Sequence, residues 1–285
     1  MNYSWLFSFV VFAEQLNFTR AAATLYITQP ALHGQIRKLT EQVGTALYRR
    51  RGRALVLTPE GKRLAAFGRE VRLRGQDVLA EIHGGNAQGP TVLSSGRGAL
   101  RYLLGPAIRR YPKQRWPLRV LTKTGPETLD AVRDARVDVG VAVIRTDCEG
   151  VTRTELRRVG QRVVIHRSHP LAKRRKLRPE HLHDEPLVLA PRGSPHRTML
   201  EHAFASAGAR LSVGVEAAGW DLMLQFCRYG LGIAVVNEFC EVPRGYTGIR
   251  LEGVPDVTYS VLTRPGTLRP SAEALMNVVL SATAA

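Results

Sequence analysis

The stretch FTRAAATLYITQPALHGQIRKL, residues 18–39, most constrains the fold, because it reads as two helices joined through only Tyr26, Ile27 and Thr28. Leu32, Ile36, Leu39 and Val43 recur at i, i+4, i+7 and i+11, so one face of the second helix is buried. The opposite face carries Gln29, Pro30, His33, Gly34, Arg37 and Lys38. A glycine there weakens the helix by about 1 kcal/mol relative to alanine. A long side chain is missing where one could have sat, and that face is expected to lie against a partner. Thr28 can cap the helix, and Pro30 falls in its first turn, where a missing N–H costs little.

The neighbouring segments complete a small unit. Trp5, Phe9, Phe12 and Leu16 share one face of a first helix. Thr19 is the expected N-cap of the short second helix. After Gly44, alternation of Leu47, Arg49 and Arg51, then of Leu55 and Leu57, reads as a hairpin with a basic tip. Three helices, a tight turn and a basic hairpin make a winged helix-turn-helix, residues 1–58. In that geometry the third helix enters the major groove by its N-terminal residues. Gln29 can bridge adenine, and His33 can reach guanine N7 or a phosphate, with Thr28, Pro30, Arg37 and Lys38 alongside. Arg51 and Arg53 at the hairpin tip suit the narrow minor groove, whose negative potential attracts arginine.

Thr58-Pro59-Glu60 signals another helix start. Leu64, Val71 and Val78 follow at sevenfold spacing, which suits a long helix over 60–83 pairing with its copy. Gly68 and Gly75 weaken that helix or permit close approach. GGNAQGP, 84–90, is a linker, so 59–90 is assigned as a dimerising helix and hinge. From residue 91 strands and helices alternate as in a parallel-sheet fold, and 91–285 is read as two small α/β lobes. Strands are expected over 92–94, 118–122, 137–143, 162–166, 187–189, 212–215 and 233–236. Helices are expected over 98–110, 127–136, 198–207, 221–229 and 271–281.

Charge narrows the function. The net charge of +17 points to a polyanionic partner, yet it divides as +5 over 1–58, +1 over 59–90 and +11 over 91–285. An excess spread this evenly, with 35 of 41 basic residues arginine, is weak evidence alone. The basic run KRRKLR, 173–178, reads as a solvated loop. No apolar run approaches the roughly 20 residues of a membrane span, and the N-terminus lacks the order of a signal peptide. A cytoplasmic protein is expected. Cys148, Cys227 and Cys240, without a CxxC, give neither a disulfide framework nor a metal site. Buried thiols are the simple reading and a redox switch the alternative. The sequence contains no G-x-S-x-G, H-E-x-x-H or P-loop motif, which argues against an enzyme.

The pattern F-T-x-A-A, then L-x-I-T-Q-P-A-L, G-x-x-L-Y-x-R and L-T-P-E-G, resembles the N-terminal domain of LysR-type transcriptional regulators. VDVGVAV, SHPLA and GLGIAVV fall where that family places similar segments. His33 and Gly34 depart from it, standing where a serine and then an arginine or other polar residue are usual. Gln29, Pro30 and Arg53 match. The resemblance implies a dimer of dimers on promoter DNA, with RNA polymerase as a further partner. It implies no cofactor, and a two-lobed effector domain resembling periplasmic binding proteins, with a small molecule in the cleft. Ligands of such folds sit at strand C-termini, where helix N-termini offer N–H groups to anions. Ser95, Thr124 and Ser194 are candidate donors there, Arg97 and Arg192 candidate carboxylate clamps, and Trp220 a candidate wall. The alternatives are helix caps for the three hydroxyls, solvated charges for the two arginines and a core position for Trp220. Other readings of the chain are a regulator whose cleft is vestigial and an α/β solute-binding protein or enzyme.

Overall fold

A computed structural model describes residues 1–82, 89–144 and 148–283. The proposed linker 84–90 lies mostly outside them, as does His83. The N-terminal unit is α1 (Tyr3–Gln15), α2 (Phe18–Thr24), α3 (Gln29–Val43) and the hairpin β1 (Tyr48–Arg51) and β2 (Ala54–Leu57). Phe9, Phe12, Ala21, Leu32, Ile36, Leu39 and Leu47 form its core. Asn2 caps α1 through Ser4 and Trp5 N–H, and Thr28 caps α3 through Ala31 N–H at 3.3 Å. The cap of α2 is Asn17, accepting from Arg20 N–H at 3.0 Å. Thr19, the residue expected there, lies inside the helix. Gly44, with φ of 77°, closes α3 in the left-handed conformation that glycine adopts without strain.

The long helix α4 (Pro59–Ile82) packs along α1. Its two close approaches require glycine: a Cβ at Gly61 would strike the Leu47 carbonyl, and one at Gly68 would strike Val10 and Leu6. Gly68 thus serves contact within the chain. Leu64 also turns inward, against the core of the N-terminal unit. It is only half-buried there, so part of its surface stays open on the side that carries Val71 and Val78. Phe67, 42% exposed, lies on the same outward side as Val78 and Ile82, with half-buried Val71 between them.

The remainder is two lobes. Lobe I holds β3 (Thr91–Ser95), α5 (Arg97–Tyr102), α6 (Gly105–Arg110), β4 (Leu118–Thr122), α7 (Gly125–Arg133), β5 (Val139–Val143) and β6 (Thr152–Val159). Lobe II holds β7 (Gln161–His166), β8 (Lys176–Leu177), β9 (Pro186–Leu189), α8 (Pro195–Ser206), β10 (Ser212–Glu216), α9 (Trp220–Arg228), β11 (Ile233–Asn237) and β12 (Tyr246–Leu251). The chain then returns to lobe I as β13 (Val257–Thr263) and α10 (Pro270–Thr283). The sheet orders are β4-β3-β5-β13-β6 and β10-β9-β11-β7-β12-β8, so the lobes are joined by two crossings, at Gly160 and after Leu251. The helix expected over 98–110 is two helices, since Pro106 lacks an N–H and its ring would clash with the carbonyl four residues back.

Candidate nucleic-acid interface and interlobe cleft

The start of α3 is held out from the N-terminal unit. Gln29 Oε1 accepts from Thr19 Oγ1 at 3.3 Å, and its amide NH2 takes no part in that bond. The His33 ring stacks on Phe18 with centroids 3.9 Å apart and planes 17° apart, leaving its outer side exposed. Gly34 faces open space: an added Cβ meets nothing within 4 Å. Arg37 is exposed and lies 3.6 Å from Glu41 one turn on. Lys38 sits with its ammonium 5.6 Å from the Trp5 ring, so it faces α1. Its side chain nonetheless remains exposed on α3.

Pairing of Arg51 with Ala54 leaves Gly52 and Arg53 at the wing tip, with Gly52 at φ of 60°. Arg49, Arg50, Arg51 and Arg53 are all exposed. Tyr26, 97% exposed with φ of 55°, projects from the turn before α3 and was not among the sequence candidates. Leu25 and Ile27 on either side pack against the core while Tyr26 points out, and an exposed phenol beside the start of α3 can donate to a phosphate.

The starts of α5, α8 and α9 come together where the two lobes meet. Trp220 lies against Gly98, where a Cβ would strike its indole, so an α9 residue of lobe II seats on α5 of lobe I. Arg97 donates to Asp221 across the same junction. The expected donors are partly spent. Ser95 is fully buried and its hydroxyl donates to the Val141 carbonyl at 2.6 Å. Thr124 donates to Glu127 Oε2 at 2.8 Å within a capping box, the plain cap reading. Neither hydroxyl proton is available to a ligand, which corrects both assignments. Ser194 accepts from Arg197 N–H as the α8 cap and keeps its own proton. Arg192 is exposed. Arg97 is not a free clamp, since Asp221 already holds it.

Two residues that the sequence did not single out stand at this junction. His196 Nε2 donates to Gln161 Oε1 at 3.0 Å, while His196 Nδ1 and Gln161 Nε2 have no hydrogen-bond partner. Burial lowers the His196 pKa to about 3, so the ring is neutral, and it meets the Trp220 ring edge-on at 4.5 Å. The junction therefore holds one unused buried acceptor and one unused buried donor. Among the described residues no His, Cys, Asp or Glu group could hold a metal ion. Cys227 and Cys240 are buried, and burial pushes their thiols up, that of Cys240 to about 12. Both stay protonated and are poor nucleophiles.

Comparisons with known proteins match two segments of the chain to two family models. Residues 3–62 match the bacterial regulatory helix-turn-helix protein model of the lysR family, and residues 84–284 match the LysR substrate binding domain. The transcriptional regulator CysB of Haemophilus influenzae is 27% identical, covering 78% of this chain and 71% of its own. The RuBisCO operon transcriptional regulator of Allochromatium vinosum is 28% identical, covering 96% and 93%. ArgP from Mycobacterium tuberculosis, 17% identical, superposes with a TM-score of 0.75 over 98% of this chain and 96% of its own. A reading helix, a basic wing, a long connecting helix and two lobes accompany a match to both family models, and the chain belongs to the LysR family of DNA-binding transcriptional regulators.

Proposed function

We propose that this regulator reads promoter DNA through α3 and the wing, and that a small anionic molecule between the lobes sets its activity. The observation that carries the first part is the exposed start of α3, Gln29 and His33, beside four exposed wing arginines. Residues 1–58 bind, 59–90 pair copies, and 91–285 respond. The exposed apolar stripe on α4 supports a homodimer, and the family resemblance a dimer of dimers that engages RNA polymerase in the cytoplasm.

Support for an anionic effector comes from the gathered helix starts, whose free N–H groups favour negative charge. Ser194, Gln161 and Arg192 supply further donors, and His196 Nδ1 would accept from a hydroxyl or amine on the same ligand. A vestigial cleft is favoured by one observation: Arg97–Asp221 and Trp220 on Gly98 close the junction.

Arg53→Ala tests the DNA assignment. Binding should weaken on every sequence, and the slope of log K against log salt should fall by about one unit, as for one lost phosphate or minor-groove contact. Fluorescence anisotropy over a salt series checks it. An unchanged slope with altered base preference would make Arg53 a major-groove reader.

A further inference from the structure

A cavity of mixed polar and apolar lining lies apart from the residues of the interlobe junction. It holds about 230 Å3 between α4 and lobe I, walled on one side by Glu70, Leu73 and Arg74 and on the other by the segment from Arg264 to the start of α10. Neither Trp220, His196 nor Arg97 lines it. Its size is below the roughly 300–1,000 Å3 of pockets for drug-sized ligands, so only a small solute fits.

Three guanidinium groups and two carboxylates converge there. Arg269 Nη2 donates to Asp138 Oδ2 and to the Pro90 carbonyl, each at 2.8 Å, so the Asp138 charge is already answered. Arg264 is fixed by Nη1, which donates to the Val137 carbonyl at 3.1 Å. Its Nε is buried without a hydrogen-bond partner, and Glu70 Oε2, at 3.9 Å, is too far to supply one. Arg74 is exposed on the opposing wall. A fixed, partly desolvated guanidinium with a buried N–H, faced by a second arginine, matches the geometry of a tetrahedral or carboxylate oxyanion.

We propose that this cavity is an oxyanion site, for phosphate, sulfate or a small carboxylate, that ties the linker helix to lobe I. Arg264 supplies the directed donor, Arg74 closes over the ligand, and Glu70 opposes it. Occupancy would bridge α4, which carries the N-terminal unit, to the lobe whose other face meets lobe II. The site does not depend on the interlobe cleft binding anything.

Isothermal titration of the full chain with phosphate, sulfate and succinate, separately and in low-chloride buffer, tests it. Glu70 and Arg74 are solvent-accessible, so their variants should fold. Saturable binding of at least one probe is expected, and the three arms separate phosphate or sulfate from carboxylate ligands. Arg74→Gln should weaken it about fivefold or more, and Glu70→Gln should tighten it about threefold by removing a competing charge. Trp220→Ala should leave it unchanged. No saturable binding up to about 20 mM, or equal affinity in Arg74→Gln and Glu70→Gln, would overturn the proposal. Binding lost only in Trp220→Ala would overturn it too, by placing the anion in the interlobe cleft.

Discussion

Val71→Asp should break the assembly while leaving each protomer folded. Phe67, Val78 and Ile82 are 42%, 40% and 72% exposed on the same side of α4, and Val71 lies among them. Leu79, 56% exposed, widens the patch. Such a row exceeds the scattered apolar residues normal on a monomer surface. Sevenfold spacing of Val71 and Val78 fits the seam of a paired helix, and Gly75, with open space around it, allows a neighbouring backbone to approach. Each protomer would bring one aspartate to that seam, so pairing would bury two like charges without partners. Removing a partner from a buried ion pair costs about 3–5 kcal/mol, and two facing carboxylates belong on that scale, so the dimer dissociation constant should rise about a hundredfold or more. Light scattering after size exclusion should show a smaller mass, with unchanged helical circular dichroism. An unchanged mass would remove α4 as the pairing element.

Asp138→Ala should cost about 3 kcal/mol of lobe I stability. The carboxylate accepts from Val92 N–H and from Arg269 Nη2, both at 2.8 Å, and its side chain is 5% exposed against 7% for Arg269. It thus ties the first strand of lobe I to the approach of α10. Losing one member of a buried pair costs about 3–5 kcal/mol, and the lower figure applies because Arg269 keeps the Pro90 carbonyl. For the two-lobed unit 91–285 unfolding as a whole, that is a fall of about 6–12 °C in melting temperature. Thermal unfolding followed by circular dichroism checks it, with the N-terminal unit melting as before. A fall under about 2 °C would show that the pair is replaceable by solvent.

Much of the N-terminal unit was legible because its signals are local. Thr28 before Pro30, Gly44 after Val43 and Thr58 before Pro59 each act within one turn, and each stands in the structure where its spacing puts it. Asn17 was missed in favour of Thr19 although asparagine is the stronger cap. Strand β6, TRTELRRV, hides because it is a charged sheet edge with no buried alternation until Val159. Strand β13, VTYSVLT, was missed although its β-branched and aromatic residues carry a strand signal, and it is what brings the chain back to lobe I.

The interlobe junction was less legible for a physical reason. A serine or threonine before a helix looks the same whether its hydroxyl faces a ligand or is spent on Val141 or Glu127. Arg97 and Asp221 are 124 residues apart in sequence, and His196 meets Gln161 across 35. No local pattern announces such pairs, because the first forms only where the two lobes meet and the second only where α8 folds back on β7 within lobe II.

The central claim is that α3 reads bases with Gln29, and Gln29→Ala tests it most directly. An operator located by footprinting, remade with every single base pair substituted, supplies the panel. The variant should lose about 1–3 kcal/mol of discrimination at one base pair of each half-site and keep the wild-type preference elsewhere. A uniform loss at all positions, or an unchanged profile, would contradict the account.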